Sequence, residues 1–201
     1  MRTPNFLKIP PNNPEKDLLD RCLKHDERAC FEFYGRYKDK MFGMCLRYAV
    51  DHNEAQEFLQ EGFIEVFRVL KNYRNEGSLE GWVRRVILNV LLQKLRSQKR
   101  ANDPIQYDDD LLNHQLEDEA DDADSTIEPQ VLMKCIQNLP EGYRTILNLY
   151  AIEKWTHKEI AEKMDIGIGT SKSQLNRARK CLRKELEKEK QVYGRSLQER
   201  E

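Results

Sequence analysis

Residues 156–182 read THKEIAEKMDIGIGTSKSQLNRARKCL, and this stretch has the clearest local pattern in the carboxyl-terminal part of the chain. Thr156, followed three residues later by Glu159, forms a capping-box pattern that predicts a helix over residues 157–164. The turn DIGIG comes next, and a second helix begins at Thr170. A short helix, a tight turn and a longer helix with a polar outer face are typical of a helix-turn-helix.

The longer helix of this motif has separate apolar and polar faces. Leu175, Ala178 and Leu182 recur at helical spacing, so we expect them to pack inward. Early polar residues of such a helix reach base edges in the major groove, and later basic residues meet phosphates. An ordinary helical hairpin with a solvated basic face is the alternative interpretation. The residues that we predict to contact duplex DNA are Thr170, Lys172, Ser173, Gln174, Asn176, Arg177, Arg179 and Lys180.

A second polar surface is predicted on a helix that spans residues 79–99. At 100° per residue, basic and amide side chains fall in one arc of about 80°, and most other positions are apolar. The arc contains no acid, which favours a nucleic-acid contact over a plain surface of mixed charge. A bland solvent-exposed stripe is the alternative. The residues of this arc are Arg85, Asn89, Gln93, Arg96 and Arg100.

The segment before this helix, YRNEGS at residues 73–78, is rich in polar and turn-forming residues. Gly77 permits a sharp turn. Arginine and aromatic side chains are the usual stacking partners of unpaired bases, so the loop is predicted to line a pocket for one unstacked base. In the alternative interpretation, Tyr73 and Trp82 simply pack into the core. The pocket residues would be Arg74, Asn75, Glu76, Gly77, Ser78 and Trp82.

An acidic ridge lies on a strongly amphipathic helix predicted over residues 53–67. Glu54, Glu57, Glu61 and Glu65 follow one another at i,i+3 and i,i+4 spacing, where like charges cost a few tenths of a kcal/mol per pair. A basic partner surface would offset that cost. The ridge has the wrong sign for DNA and therefore predicts a protein-docking face.

Charge and proline divide the chain of 201 residues into the same segments. The formal net charge is −1, yet residues 101–128 carry 11 acidic residues and no basic one, whereas residues 1–100 and 129–201 each carry +5. Prolines are absent from long stretches on either side, as helices require. No strand alternation or hairpin turn is found. We therefore predict an all-α protein with two small helical domains joined by an acidic flexible linker: a tail at 1–16, a domain at 17–100, the linker at 101–128, a helix-turn-helix domain at 129–190 and a tail at 191–201.

Other chemistries have little support. The five cysteines are scattered without a CxxC pair, and the four histidines lack metal-ligand spacing, so no cofactor is predicted. No apolar run approaches the roughly 18 residues of a membrane span, and no signal peptide is recognisable, which predicts no membrane insertion and a cytoplasmic location. A metal-dependent nuclease is a remote alternative, because the linker has too few apolar residues to fix a coordination geometry. Its carboxylates would be Asp108, Asp109, Asp110, Glu117 and Asp118.

In chain order, these features resemble the extracytoplasmic-function (ECF) sigma factors, compact initiation subunits of bacterial RNA polymerase. The motifs that carry the resemblance are EFLQE at 57–61, similar to DLVQE; YRNEGSLEGWV at 73–83, similar to FRGEASFxxWL; RVILN at 85–89, partly matching RIARN; LPEGYR at 139–144, matching LPExxR; and GTSKSQLNRAR at 169–179, similar to GTVKSRLxRAR.

The resemblance implies a protein that is not an enzyme and that directs core RNA polymerase to promoters. In the family, the loop takes up a flipped base of the −10 element, and the second domain binds the −35 duplex. Core polymerase, promoter DNA and an anti-sigma factor are the implied partners, without a small-molecule substrate. A stand-alone helix-turn-helix regulator is the alternative, but it leaves the ridge and the loop without a role. The first motif implies docking on the clamp coiled coil of the largest catalytic subunit through Glu57, Gln60, Glu61 and Glu65.

Four positions depart from the family pattern. Gln93 stands where Asp is usual, and Leu88 where Arg is common, and both departures bear on the −10 specificity that the resemblance implies. Asp165 replaces a turn glycine, and Gln174 replaces an arginine with an amide suited to adenine. As a free coil the linker spans about 30 Å, less than the roughly 70 Å between elements two helical turns apart. We therefore expect polymerase to hold the linker extended and the free protein to bind promoters weakly.

Overall fold

The computed structural model describes residues 14–102 and 128–198, and every regular element within these ranges is a helix. The first range forms the amino-terminal module: α1 (Pro14–Leu23), α2 (Glu27–Tyr48), α3 (His52–Val69), a 3-10 turn (Leu70–Asn72) and α4 (Leu79–Asn102). The second range forms the carboxyl-terminal module: α5 (Pro129–Gln137), α6 (Glu141–Leu147), a π-helical turn (Asn148–Ile152), α7 (His157–Met164) and α8 (Ile168–Gln198). The predicted all-α class is confirmed.

Side-chain caps fix where several helices begin. Asp26 and Asp51 accept hydrogen bonds of 3.1 and 2.8 Å from the first-turn backbone of α2 and α3. At α7, Thr156 and Glu159 form the predicted capping box, and the helix has the predicted bounds. It ends at Asp165, whose φ of 57° is left-handed, a conformation that aspartate tolerates better than most residues.

The core of the amino-terminal module lies between α2, α3 and α4. Phe33, Phe58 and Leu91 are fully buried, and each contributes about 1.5–3 kcal/mol relative to exposure. The apolar positions of α4 face this core, as its periodicity predicts. Leu88 is also buried, so the position where the family often has arginine serves packing here.

Some boundaries differ from the predictions. Helix α4 extends to Asn102, past the predicted end at residue 99, and α8 starts at Ile168 and continues to Gln198, beyond residue 190. The absence of proline after residue 140 allows α8 to continue. The linker at 101–128 lies almost entirely outside the described residues, as do residues 1–13 of the predicted tail.

The two modules pack directly against each other, and their buried apolar residues form one cluster. Helix α2 contacts α5 and α6. Across this interface, Gln137 Nε2 donates to Leu46 O at 3.1 Å, and Asn148 Nδ2 donates to Arg47 O at 2.7 Å. Sequence patterns alone do not determine this relative placement of the two modules.

Candidate nucleic-acid interface

The loop before α4 has a fixed backbone and exposed polar side chains. Tyr73 donates its hydroxyl hydrogen bond to Gly77 O at 3.0 Å and lies 3.3 Å from Asn75 Oδ1. Asn75 and Gly77 both have positive φ, 58° and 91°. Arg74, Asn75 and Glu76 are exposed at the tip. The Tyr73 hydrogen bonds therefore hold the loop backbone in place, and the loop exposes its polar side chains to solvent.

The start of α4 anchors this loop. Ser78 Oγ accepts from Gly81 N at 3.1 Å and so caps the helix. The rings of Tyr73 and Trp82 lie 5.4 Å apart and pack, half-buried, against the core. This agrees with the alternative in which both aromatics are structural, while the polar loop side chains stay available.

The predicted polar arc of α4, called here the α4 stripe (Arg85, Asn89, Gln93, Arg96 and Arg100), faces the carboxyl-terminal module through its described side chains. Arg85 and Gln93 are exposed, and Asn89 and Arg96 are partly buried. Arg96 Nη1 donates to Lys163 O at 3.1 Å. The side chain of Arg100 lies outside the described residues. The described part of the stripe is thus continuous on one side of α4, but α7 of the other module lies opposite.

The helix-turn-helix has the predicted packing. Leu175 and Ala178 are buried on the inner side of α8, and Ala161 is buried on α7. His157 Nδ1 and Ser171 Oγ, 2.9 Å apart, join the two helices. The small side chain of Ala161 lets the helices approach closely.

The outer face of α8 carries most of the predicted duplex contacts. Ser173 Oγ donates to Thr170 O at 3.1 Å, and the Arg179 guanidinium lies 5.8 Å from the centre of the Tyr150 ring. The exposed members of the set are Lys172, Arg179 and Lys180, and the partly exposed ones are Thr170, Ser173, Asn176 and Arg177.

Gln174 is the member of the predicted duplex-contact set whose position differs from the prediction. Gln174 is only 4% exposed, and its side-chain amide points toward Gly142 on α6. A buried amide on the inner face of α8 does not reach a base edge. The adenine contact inferred from its amide is therefore inconsistent with this structure, and the residue serves packing between α6 and α8.

The acidic ridge has counter-charges within the chain. Lys94 Nζ on α4 lies 3.2 Å from Glu57 and 2.7 Å from Glu61. Arg68 pairs with Glu65, and this hydrogen bond lowers the pKa of the Glu65 carboxyl. Part of the charge of the ridge is thus offset within the chain, while Glu57, Gln60 and Glu61 remain exposed to a partner.

Sequence reasoning missed an apolar residue beside the ridge. Ile64 is 69% exposed and lines a groove of about 730 Å³ between α3 and α4, together with Val86, Val90 and Lys94. The sequence does contain a signal for it, because Ile64 is a branched apolar residue on the polar side of an amphipathic helix. Exposed apolar surface rimmed by charge is typical of a protein-docking site.

Comparison with known proteins assigns both modules. Residues 33–101 match the Sigma-70 region 2 family, and residues 130–182 match the Sigma-70, region 4 family. These two matches, in this order, span more than half of the chain. The chain belongs to the extracytoplasmic-function sigma factors of RNA polymerase. The helix-turn-helix lies within region 4, and the loop, the α4 stripe and the ridge lie within region 2.

Relatives of this ECF sigma factor are similar along nearly their whole length. The ECF RNA polymerase sigma-E factor of Haemophilus influenzae is 27% identical over 181 residues, covering 86% of this chain and 95% of the relative. The RNA polymerase sigma-H factor of Pseudomonas aeruginosa is 29% identical over 184 residues, covering 86% and 94%. Among solved structures, the sigma factor RpoE of Bartonella quintana, in complex with the anti-sigma factor NepR, gives a TM-score of 0.48 at 17% identity, covering 78% and 95%.

Within the described ranges, this sigma factor has no helix with an apolar stretch of membrane-spanning length. The same ranges contain no group of three or more His, Cys, Asp or Glu side chains placed to hold a metal ion. All five cysteines are free. Burial raises the pKa of the Cys22 and Cys45 thiols to about 12, so both stay protonated near neutral pH. The linker carboxylates considered for a nuclease lie outside the described residues.

Proposed function

We propose that this sigma factor opens promoters by holding a base of the −10 element in the 73–78 loop while α8 binds the −35 duplex. The observation that carries the proposal is the loop itself, a braced backbone with Arg74, Asn75 and Glu76 exposed immediately before the polar stripe of α4. A preorganised loop loses little conformational freedom when it binds an unpaired base.

Trapping the base supplies the energetic part of opening. Extruding a base costs stacking energy, and binding it in the loop returns part of that energy. The α4 stripe then contacts the separated strand, with arginines on phosphates and amides on base edges. No covalent step is required, so the protein acts as an initiation factor rather than as an enzyme and uses no cofactor.

The −35 contact is proposed for the exposed face of α8. Lys172, Ser173, Asn176 and Arg177, with Thr170 before them, are positioned early on the helix, where a recognition helix reads the major groove. Arg179 and Lys180 lie later and suit phosphates. Gln174 is left out of this set because it is buried.

The groove beside the acidic ridge is the proposed docking site for core polymerase. Glu57, Gln60, Glu61 and Glu65 supply polar contacts, and Ile64 adds an apolar anchor in their midst. An exposed apolar residue within a charged rim gives both affinity and orientation to a helical, basic partner. Because core polymerase and promoter DNA are in the cytoplasm, the protein is proposed to act there, without insertion into a membrane.

An anti-sigma factor is the third proposed partner. The two modules lie side by side, so one protein can bind both of them. Such a protein would block both DNA-binding faces and so prevent promoter binding. A stand-alone regulator is less suitable as a function, since it would use only α7 and α8.

Reconstitution tests this function. Core polymerase mixed with the protein is given a double-stranded genomic library, and start sites are mapped. We expect new starts that share two conserved elements at constant spacing. Start sites identical to those of core polymerase alone would contradict the proposal. A variant with Arg36→Ala, on the exposed part of α2, serves as a matched control that should keep the same starts.

A further inference from the structure

We propose that Tyr150, in the π-helical turn before α7, is a positioning residue for the −35 contact, whose ring orders the guanidinium of Arg179 for a phosphate of the duplex. The inference rests on the proposed function in one respect, the assignment of Arg179 to a phosphate. It adds a residue from outside the recognition helix to the surface that binds the −35 element.

The turn that carries Tyr150 has a fixed backbone. It follows α6 directly as the π-helical turn Asn148–Ile152. Trp155 N donates to Leu149 O at 3.0 Å and closes the segment that leads to α7. Leu149 is fully buried, whereas Tyr150 keeps part of its surface exposed. The ring of Tyr150 therefore has a defined place at the surface of the carboxyl-terminal module.

The imidazole of His157 supports the Tyr150 ring. The two ring centroids lie 4.7 Å apart with an interplanar angle of 22°, which is a stacked arrangement. His157 is the first residue of α7, and its Nδ1 lies 2.9 Å from Oγ of Ser171, a fully buried residue of α8. The imidazole is thus held both at a ring nitrogen and on a ring face. This restricts the orientation of the tyrosine that it stacks on.

Arg179 brings a positive charge to this aromatic pair. It is exposed on α8, and its Cζ lies 5.8 Å from the centre of the Tyr150 ring. Cation–π attraction acts within roughly 6 Å of a ring centroid. Because the attraction uses the face of the ring as its acceptor and needs no conventional hydrogen bond, it is compatible with hydrogen bonding from the guanidinium to a phosphate.

The benefit of this contact lies in the side-chain freedom that it removes before DNA binds. A long exposed arginine loses conformational entropy when it is ordered on a phosphate. A side chain that is already confined loses less, so more of the phosphate interaction contributes to affinity. At an exposed site, a cation–π contact changes an equilibrium constant by about 2- to 5-fold. We expect Tyr150 to contribute an effect of this size through Arg179.

Two other roles for Tyr150 lead to different expectations. A direct hydrogen bond from its hydroxyl to DNA predicts that Tyr150→Phe is as harmful as loss of the whole ring. A purely structural role in the turn predicts that loss of the ring acts independently of Arg179. Positioning predicts neither result, because it needs the ring but not the hydroxyl and acts only through the guanidinium.

A double-mutant cycle in the reconstituted holoenzyme tests the proposal. The probe is a fluorescent duplex that carries the −35 element of a mapped start site and ends before the −10 element. Tyr150→Leu should weaken binding by about 2- to 5-fold, and Tyr150→Phe should stay close to the wild type. Arg179→Ala should reduce the slope of log affinity against log salt by about 0.9, as expected for one lost phosphate contact. Once Arg179 is alanine, Tyr150→Leu should have no further effect.

Lys180→Ala provides the matched control. Lys180 is the next exposed cation on α8 and is likewise proposed to meet a phosphate. Its effect on affinity should add to that of Tyr150→Leu, while circular dichroism and thermal unfolding verify that each variant is folded. Equal loss from Tyr150→Leu with and without the Arg179 guanidinium overturns the positioning role, and so does equal loss in Tyr150→Phe and Tyr150→Leu.

A measurement without DNA separates this inference from the proposed function. In the free full-length protein, NMR relaxation of the Arg179 Nε–H group reports how ordered the side chain is. The order parameter should be similar in the wild type and Tyr150→Phe and lower in Tyr150→Leu. An order parameter that is the same in all three proteins overturns the inference, even if the holoenzyme directs transcription. A wild-type holoenzyme that binds no −35 duplex, although Tyr150 orders Arg179, would instead overturn the proposed function.

Discussion

Gly62 on α3 and Ile87 on α4 touch so closely that a Cβ at position 62 would lie 2.7 Å from Ile87 Cγ2. Ile87 is fully buried at the centre of the core and has little room to move. Position 62 therefore requires glycine, because α3 and α4 are too close there for a side chain. Alanine would otherwise be preferred, since it has the higher intrinsic helix propensity.

Gly62→Ala should lower the free energy of unfolding by about 1–3 kcal/mol, because overpacking a filled core outweighs the better helix propensity. Gly35→Ala on α2 is the matched control, since nothing lies within 4 Å of its Cβ position. That variant should gain about 0.5–1 kcal/mol. Urea denaturation measures the free energy of unfolding of both variants. Equal changes in this free energy in the two variants would contradict the steric explanation.

Asn75→Ala should reduce strand opening while leaving −35 binding by the holoenzyme intact. The position has a φ of 58°, so alanine also introduces backbone strain of about 1–2 kcal/mol. Asn75→Gly removes the side chain without that strain and separates the two effects. Permanganate reactivity of unpaired thymines measures opening. Normal opening with Asn75→Gly would show that the amide takes no part.

Arg177→Ala should weaken engagement of the −35 element by about 1–3 kcal/mol, because its guanidinium is proposed to read a base in the major groove. Run-off transcription from a promoter that depends on this element provides the measurement. Gln174→Ala is the informative comparison, because this buried amide should affect the stability of the carboxyl-terminal module more than promoter choice. A change of preferred −35 sequence in the Gln174 variant would reverse that assignment.

Ile64→Glu should abolish binding of core polymerase and leave the fold intact, since the side chain is largely exposed. Phe31→Glu, on α2, replaces an even more exposed apolar residue and should leave binding unchanged. Co-elution with core polymerase on a sizing column measures the association. Equal loss in both variants would indicate that general surface polarity, and not the groove, is responsible.

Glu159 should make the carboxyl-terminal module sensitive to acid. Hydrogen bonds from the Thr156 backbone and hydroxyl lower the pKa of Glu159 in the folded state. Its stabilising effect is therefore complete above the unfolded pKa, near 4.3, and is lost as the pH falls through the lower folded pKa. Glu159→Gln should show a smaller loss of stability on acidification. Parallel curves of unfolding free energy against pH for the wild type and the variant would contradict this prediction.

Local patterns in the sequence predicted much of the fold and part of the site. The bounds of α7 follow from the Thr156 cap and the turn at Asp165, which depend on neighbouring residues only. The inward side of α4 follows from apolar periodicity. These features need no information from distant parts of the chain.

Features that depend on distant partners were not predictable. Gln174 looked like a base contact because it replaces a surface arginine of the family, but α6 leaves room at Gly142 for its amide. The counter-charge of the ridge comes from Lys94, more than 30 residues away. The pairing of Arg84 with Glu153 likewise joins residues separated by the whole linker.

The contacts that hold the modules together are of two chemical kinds. Arg84 and Arg96 contribute charged contacts. The Arg96 pair with Asp165 is exposed enough for dissolved salt to screen it, whereas Glu153, the partner of Arg84, is only 8% exposed and is screened much less. Gln137 and Asn148 contribute neutral amide–carbonyl bonds, on which ions have little effect. A rise in ionic strength therefore weakens the Arg96 contact most, while the buried Arg84–Glu153 pair and the two amide–carbonyl bonds persist, so most of this interface tolerates high salt.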